Sequence, residues 1–152
     1  RSPMEQFAEV KNKKEYFARE TERFLHEHKL DKYVRNPHFP VNTLHIMRGA
    51  CYAAGKEFEQ KYIEIIYQSM WENGLKMDEP ATIKTVLTEH GLPADEIISG
   101  SQESATKQLL MDSTSYSVER ANFGSPTFFV GQEMFFGKDR LEHVEKEILT
   151  QK

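Results

Sequence analysis

The sequence predicts a mainly helical chain that carries one β-hairpin near its C-terminus. Three observations lead there. Apolar residues recur at three- and four-residue spacings through most of residues 1–121, the pattern of one helix face after another. Strand-like sequence is confined almost entirely to NFGSPTFFVGQEMFFGKDRL, Asn122–Leu141, where the aromatic runs TFFV and MFF flank Gly131-Gln132-Glu133. Helix starts and stops punctuate the rest at helix-sized intervals.

The elements follow in order. Ser2, Pro3 and Glu5 open the chain as a capping box with proline at the first helical position. The helical pattern continues, or restarts near Lys11, through KNKKEYFARETERFLHEHK, with Tyr16, Phe17, Phe24 and Leu25 on one stripe. YVRNPHFPVNT is a loop, because Pro37 and Pro40 disfavour helix at the residues before them. Asn42 or Thr43 caps a helix whose Leu44, Met47, Cys51 and Ala54 share a face, and Gly55 interrupts it. EFEQKYIEIIYQSMWEN is amphipathic, with Phe58, Tyr62, Ile65, Ile66 and Met70 inward and Gly74 at its left-handed end. Asp78 caps a helix that carries Pro80 in its first turn and ends at Gly91. LPADEIISG is a short helix, and a long one runs from about Gln102 to Phe123, ending at Gly124. After the hairpin, with strands Thr127–Val130 and Met134–Phe136, a last helix places Leu141, Val144 and Ile148 on one face, with Asp139 as its cap.

Composition narrows the function. The 152 residues hold 24 acidic and 20 basic side chains, a formal charge of -4, and the bases are scattered. No basic stripe marks a nucleic-acid footprint. No apolar run approaches the ~20 residues that span a bilayer. The lone Cys51 lacks an internal disulfide partner, which points to a reducing compartment and a cytoplasmic location. It sits on an apolar helix stripe and reads as a small packed residue. The six histidines make no metal motif, and His26 and His28 diverge on a helix. Met70 and Trp71 read as core residues or as the lining of a substrate mouth.

A two-stranded hairpin is marginal alone in water, and Phe128, Val130 and Phe135 need a covering layer. The chain opens at Arg1, directly on a helix cap. The expectation is a preceding strand–helix–strand unit of ~30 or more residues that completes a mixed four-stranded sheet. A helical domain with a single hairpin is the alternative.

With these segments in place, the chain resembles the 2-hydroxychromene-2-carboxylate isomerase family. That family is related to kappa-class glutathione transferases and, more distantly, to DsbA-type thiol oxidoreductases. RSPMEQFAEVKNKKEYFARE resembles its entry into a helical insertion, NPHFPVNTLHIMRGA its FP-x-N loop and helix, and YQSMWENG its Met-Trp helix. The most specific match is NFGSPTFFVGQEMFFGKDRL, which resembles G-x-PT-x-FVG-x-EMF-x-G-x-DRL. The resemblance implies an α/β, thioredoxin-like fold with an inserted helical subdomain. Residues 1–121 would be that insertion and 122–152 the C-terminal ββα half. It also implies that the catalytic serine, or cysteine in the oxidoreductases, follows a first strand ahead of this chain. No serine here is assigned that role, and the chain alone is expected to be inactive.

The resemblance supplies a set of candidate glutathione contacts. Ser125–Pro126 would be a cis bond that leaves the Ser125 backbone free to pair with the cysteinyl unit. Lys138 and Asp139 would hold the γ-glutamyl zwitterion, Asp139 also being a plausible helix cap. Lys13 would lie near the glycyl carboxylate, although a lysine in a KNKK run is commonly a solvated surface residue. Asn42 would approach the substrate, with a helix cap as its equally good reading. The implied function is a glutathione-dependent cis–trans isomerase in aromatic degradation, or a kappa-type transferase. The alternatives are a DsbA-like thiol–disulfide oxidoreductase and a noncatalytic thioredoxin-like module. Its partner would be a small aromatic substrate, with neither nucleic acid nor membrane, and its relatives' habit suggests a homodimer.

Overall fold

Seven α-helices and one antiparallel hairpin are found among residues 10–151, which the computed structural model describes. The capping box expected at Ser2, Pro3 and Glu5 lies outside the described residues. The helices are α1 (Lys13–Glu27), α2 (Leu44–Ala53), α3 (Glu59–Trp71), α4 (Pro80–Glu89), α5 (Ala94–Gln102), α6 (Ser104–Glu119) and α7 (Leu141–Thr150). Strands β1 (Thr127–Val130) and β2 (Glu133–Phe136) precede α7. The chain groups into two compact units, Arg1–Glu103 and Ser104–Lys152. The sequence boundary at 121/122 divides the chain by element type, whereas packing groups α6 with the hairpin and α7.

The first unit holds the hydrophobic core. Ile46 and Ala53 of α2, Tyr62, Ile65, Ile66 and Met70 of α3, Ile83, Val86 and Leu87 of α4, and Ala94 and Ile97 of α5 are buried together with Met77 and Leu92. The inward face expected for α3 is therefore present. That of α2 is not: Leu44 and Met47 are exposed, and Ile46, Gly49 and Ala53 are buried instead. Side-chain size decides it. The small residues let α2 pack along α5, and a methyl group at Gly49 would strike the Tyr62 ring and hydroxyl. That hydroxyl donates to the Ile46 carbonyl at 2.8 Å.

Helix ends follow the sequence in part. Gly74 (φ 62) and Gly91 (φ 66) adopt the left-handed conformation after α3 and α4. Asp78 does not cap α4: Glu79 takes that position ahead of Pro80, and Asp78 Oδ2 accepts instead from the Asn42 N–H at 3.5 Å. The long helix expected to reach Phe123 stops at Glu119, because Ala121, at φ 69, already turns left-handed. Asn122 N–H then closes the end on the Ser117 carbonyl at 3.1 Å.

The loop between α1 and α2 contains a feature that the sequence did not advertise. Asn36 is only 2% exposed. Its Nδ2 donates to the carbonyls of Met70 (2.9 Å) and Leu75 (2.8 Å), and its Oδ1 accepts from the His38 N–H at 2.8 Å. Val34 N–H donates to the Trp71 carbonyl at 2.6 Å. The loop is thereby fastened to the C-terminal end of α3, where helix carbonyls lack internal partners. Phe39–Pro40 in this loop is cis.

In the second unit, β1 and β2 pair in the register Thr127↔Phe136 to Val130↔Glu133. The two-residue turn opens at Gly131, whose φ of 56 is costly for any side chain. β2 begins at Glu133, one residue earlier than expected. All four residues of β1 are half-buried. α7 packs on β1, yet Leu141 and Ile148 of its apolar face remain 51% and 46% exposed, because a two-stranded sheet offers little surface to cover them.

Candidate functional site

The approach to β1 is built by one asparagine. Asn122 Oδ1 accepts from the Gly124 N–H at 2.9 Å and lies 3.0 Å from the Thr127 hydroxyl, while its Nδ2 donates to Ser117 Oγ at 2.7 Å. The same hydroxyl lies 2.7 Å from the Gly124 carbonyl, so its single proton serves one acceptor at a time. Within this bracket Ser125–Pro126 is cis. A side chain at Gly124 would press on the Phe136 ring, its Cβ coming within 2.9 Å of it.

The segment after β2 returns to the same place. Gly137 N–H donates to the Pro126 carbonyl at 3.0 Å. This bond, together with the Thr127↔Phe136 pairing, sets Ser125 and Pro126 beside the turn that carries Lys138 and Asp139. That turn is a short 3-10 segment, Lys138–Arg140, leading into α7. Asp139 is not the helix cap. Arg140 occupies the cap position of α7 without a side-chain bond, and the Asp139 carboxylate lies in the preceding turn. Its Oδ2 is 3.7 Å from Arg140 Nη2, with both side chains at least half exposed, so water screens the pair and leaves the carboxylate open to another cation. Gly137, at φ 110, makes room for this carboxylate, since Asp139 Oδ1 lies 2.5 Å from where a Cβ would stand.

Four of the six candidate residues are therefore brought together in the second unit, and two lie in the first. Lys13 begins α1, with its ammonium 5.7 Å from the Phe17 ring centroid. Asn42 stands two residues before α2, whose cap position is Thr43, and its Oδ1 accepts from the Leu44 N–H at 3.0 Å, a local turn bond ahead of the helix. Cys51 is half-buried, and burial pushes its thiol above the ordinary value. Met70 is core, whereas Trp71 is half-buried, its ring 6.1 Å from Tyr33 at 13° and 5.9 Å from Phe39. Asn122 and Thr127 escaped the sequence reading. An asparagine after a helix and a threonine opening a strand are common for purely local reasons, and only their mutual bond reveals the bracket.

A family model described as DSBA-like thioredoxin domain matches residues 2–149. Three curated relatives carry the name 2-hydroxychromene-2-carboxylate isomerase. The protein from Sphingobium xenophagum is 25% identical over 100 residues, 66% of this chain and 51% of that one. The one from Pseudomonas sp. (strain C18) is 28% identical over 115 residues, 72% and 53% of the two chains. The one from Pseudomonas putida is 26% identical over 109 residues, 70% and 54%. The chain thus spans about half the length of the curated relatives it matches. A solved structure of selenomethionine 2-hydroxychromene-2-carboxylate isomerase aligns with a TM-score of 0.77 at 22% identity, covering 93% of this chain and 68% of that one. Likeness at that identity is a likeness of fold.

Proposed function

The chain belongs to the DSBA-like thioredoxin domain family, and from that premise we propose that it forms part of a glutathione-dependent isomerase of the 2-hydroxychromene-2-carboxylate type, acting in aromatic degradation. The names of its relatives support the reaction. The observation that carries the glutathione reading is the Gly137 N–H bond to the Pro126 carbonyl, which holds a charged turn against the start of a strand.

The residues present fit glutathione in kind. Its γ-glutamyl end has one ammonium and one carboxylate, and the turn offers the Asp139 carboxylate and the Lys138 ammonium. The cysteinyl unit has a strand-like N–H and C=O, and Ser125 lies where β1 would continue toward its N-terminus, so it could pair with them as an added strand does. In this reading Pro126 directs that backbone edge. Glutathione, when bound, supplies a thiolate whose reversible addition lets a double bond turn as a single bond. A kappa-type transferase would use the same contacts on another electrophile. Thiol–disulfide exchange by this chain's own residues is disfavoured, because its single cysteine has a thiol raised by burial rather than activated.

Calorimetric titration of glutathione against Asp139→Asn and Lys138→Ala tests the reading. Each variant should bind about tenfold more weakly, the loss of one charge-assisted contact at an exposed site. Melting temperature, measured beside affinity, separates binding from folding. Unchanged affinity in a folded Asp139→Asn protein would remove the proposed site. Turnover of 2-hydroxychromene-2-carboxylate by the protein carrying this chain, absent without glutathione, tests the reaction.

A further inference from the structure

We propose that the groove between α1 and the loop at residues 33–39 seats the ring of an aromatic carboxylate against Trp71, with Arg35 and Lys14 holding its carboxylate. The biological identity of that acid rests on the isomerase reading above; the groove's preference rests on its own chemistry. The hollow is about 400 Å³, large enough for a two-ring acid. Its aromatic wall is Trp71, with Tyr33 nearly parallel to it and Phe39 tilted, and Phe39 is 56% exposed. Such rings suit a flat apolar ligand.

Charge selects the occupant. Arg35 and Lys14 line the groove against a single acid, Glu22. Among the described residues neither cation is paired with a carboxylate. A guanidinium held open beside aromatic rings suits an aromatic anion, which it can grip through two parallel N–H bonds.

Arg35 is also pre-positioned. Its neighbours on both sides are bonded to the end of α3 or to the segment just after it, Val34 to the Trp71 carbonyl and Asn36 to those of Met70 and Leu75. Little backbone freedom remains to be lost on binding, so the contact can contribute more of its strength to affinity. Arg35 is then a specificity-determining residue, reading the carboxylate while Trp71 reads the ring.

Trp71 is the only tryptophan of the chain, so it supplies a single indole N–H signal in a nitrogen–proton correlation spectrum. The 152-residue chain would be titrated with 2-naphthoate, with neutral 2-naphthalenemethanol and with cyclohexanecarboxylate. The Trp71 signal should shift most tightly with 2-naphthoate. Arg35→Gln should weaken 2-naphthoate about tenfold and leave the neutral alcohol unchanged, and Lys14→Gln should act in the same direction. An unmoved Trp71 signal, equal affinity for the acid and the alcohol, or an Arg35→Gln protein that binds 2-naphthoate normally would overturn the proposal. So would a signal that follows protein concentration rather than ligand, which would mean that a second copy covers the groove. The two readings fail separately: 2-naphthoate binding without hydroxychromene turnover upholds the groove and rejects the isomerase, whereas turnover with an unmoved Trp71 rejects the groove alone.

Discussion

Replacing Asn36 with alanine should destabilise the first unit by about 3 kcal/mol, three hydrogen bonds at about 1 kcal/mol each. All three are buried or partly buried, and the side chain is 2% exposed, so water cannot readily replace them. The carbonyls of Met70 and Leu75 would lose their Asn36 donor, and the His38 N–H its acceptor. Asn36→Asp sharpens the test. It keeps an acceptor for His38 but removes both donors and sets a carboxylate against two carbonyl oxygens, so it should cost at least as much as alanine. Urea unfolding followed by circular dichroism measures the loss, and Trp71 fluorescence reports the groove locally, because Tyr33 and Phe39 sit on either side of the anchored segment. The expected result is a lower midpoint with an altered Trp71 environment. A loss under 1 kcal/mol for alanine, or an aspartate variant as stable as the native chain, would refute the argument that Asn36 holds the loop.

Tyr62 gives a prediction about pH. Burial, with a smaller contribution from Cys51, raises its hydroxyl above the ordinary value of 10.0. The neutral form is the one that the fold accommodates, so its contribution is complete below about pH 10 and is lost as pH rises toward the higher folded value. Tyr62→Phe should cost about 1 kcal/mol at neutral pH, through the lost bond to the Ile46 carbonyl, and should flatten the alkaline decline in melting temperature. A native-like decline in the variant would assign it to other groups. In the second unit, Arg120 Nη2 donates to the Gly131 carbonyl at 2.6 Å, and its guanidinium carbon lies 4.1 Å from the Phe129 ring centroid. Arg120→Ala should therefore destabilise the hairpin by about 1–2 kcal/mol and speed its amide exchange. Exchange at the native rate would show that the turn stands without this clasp.

The local elements were legible because their causes are local. The 3.6-residue pattern of Tyr62, Ile65, Ile66 and Met70 identifies α3 and its inward face, and Gly131 between two aromatic runs identifies the hairpin turn. The family likeness rested on the same kind of signal, an ordered string of residues from Asn122 to Leu141. Local pattern could not choose between two apolar stripes on α2. The choice fell to Ile46, Gly49 and Ala53 because only small side chains let α5 and Tyr62 approach, and that steric fact involves residues far apart in the chain. The end of α6 was missed for a related reason: Ala121 accepts a conformation that its type disfavours, in a turn that Asn122 closes with bonds to Ser117. Asp78 and Asp139 both carried the composition of a helix cap, and in each the carboxylate went elsewhere. The most distant couplings were invisible in one dimension. Asn36 reaches the carbonyls of Met70 and Leu75, and Gly137 reaches the Pro126 carbonyl. A hydrogen bond depends on where two groups end in space, and for partners 11 to 39 residues apart only the folded chain decides that.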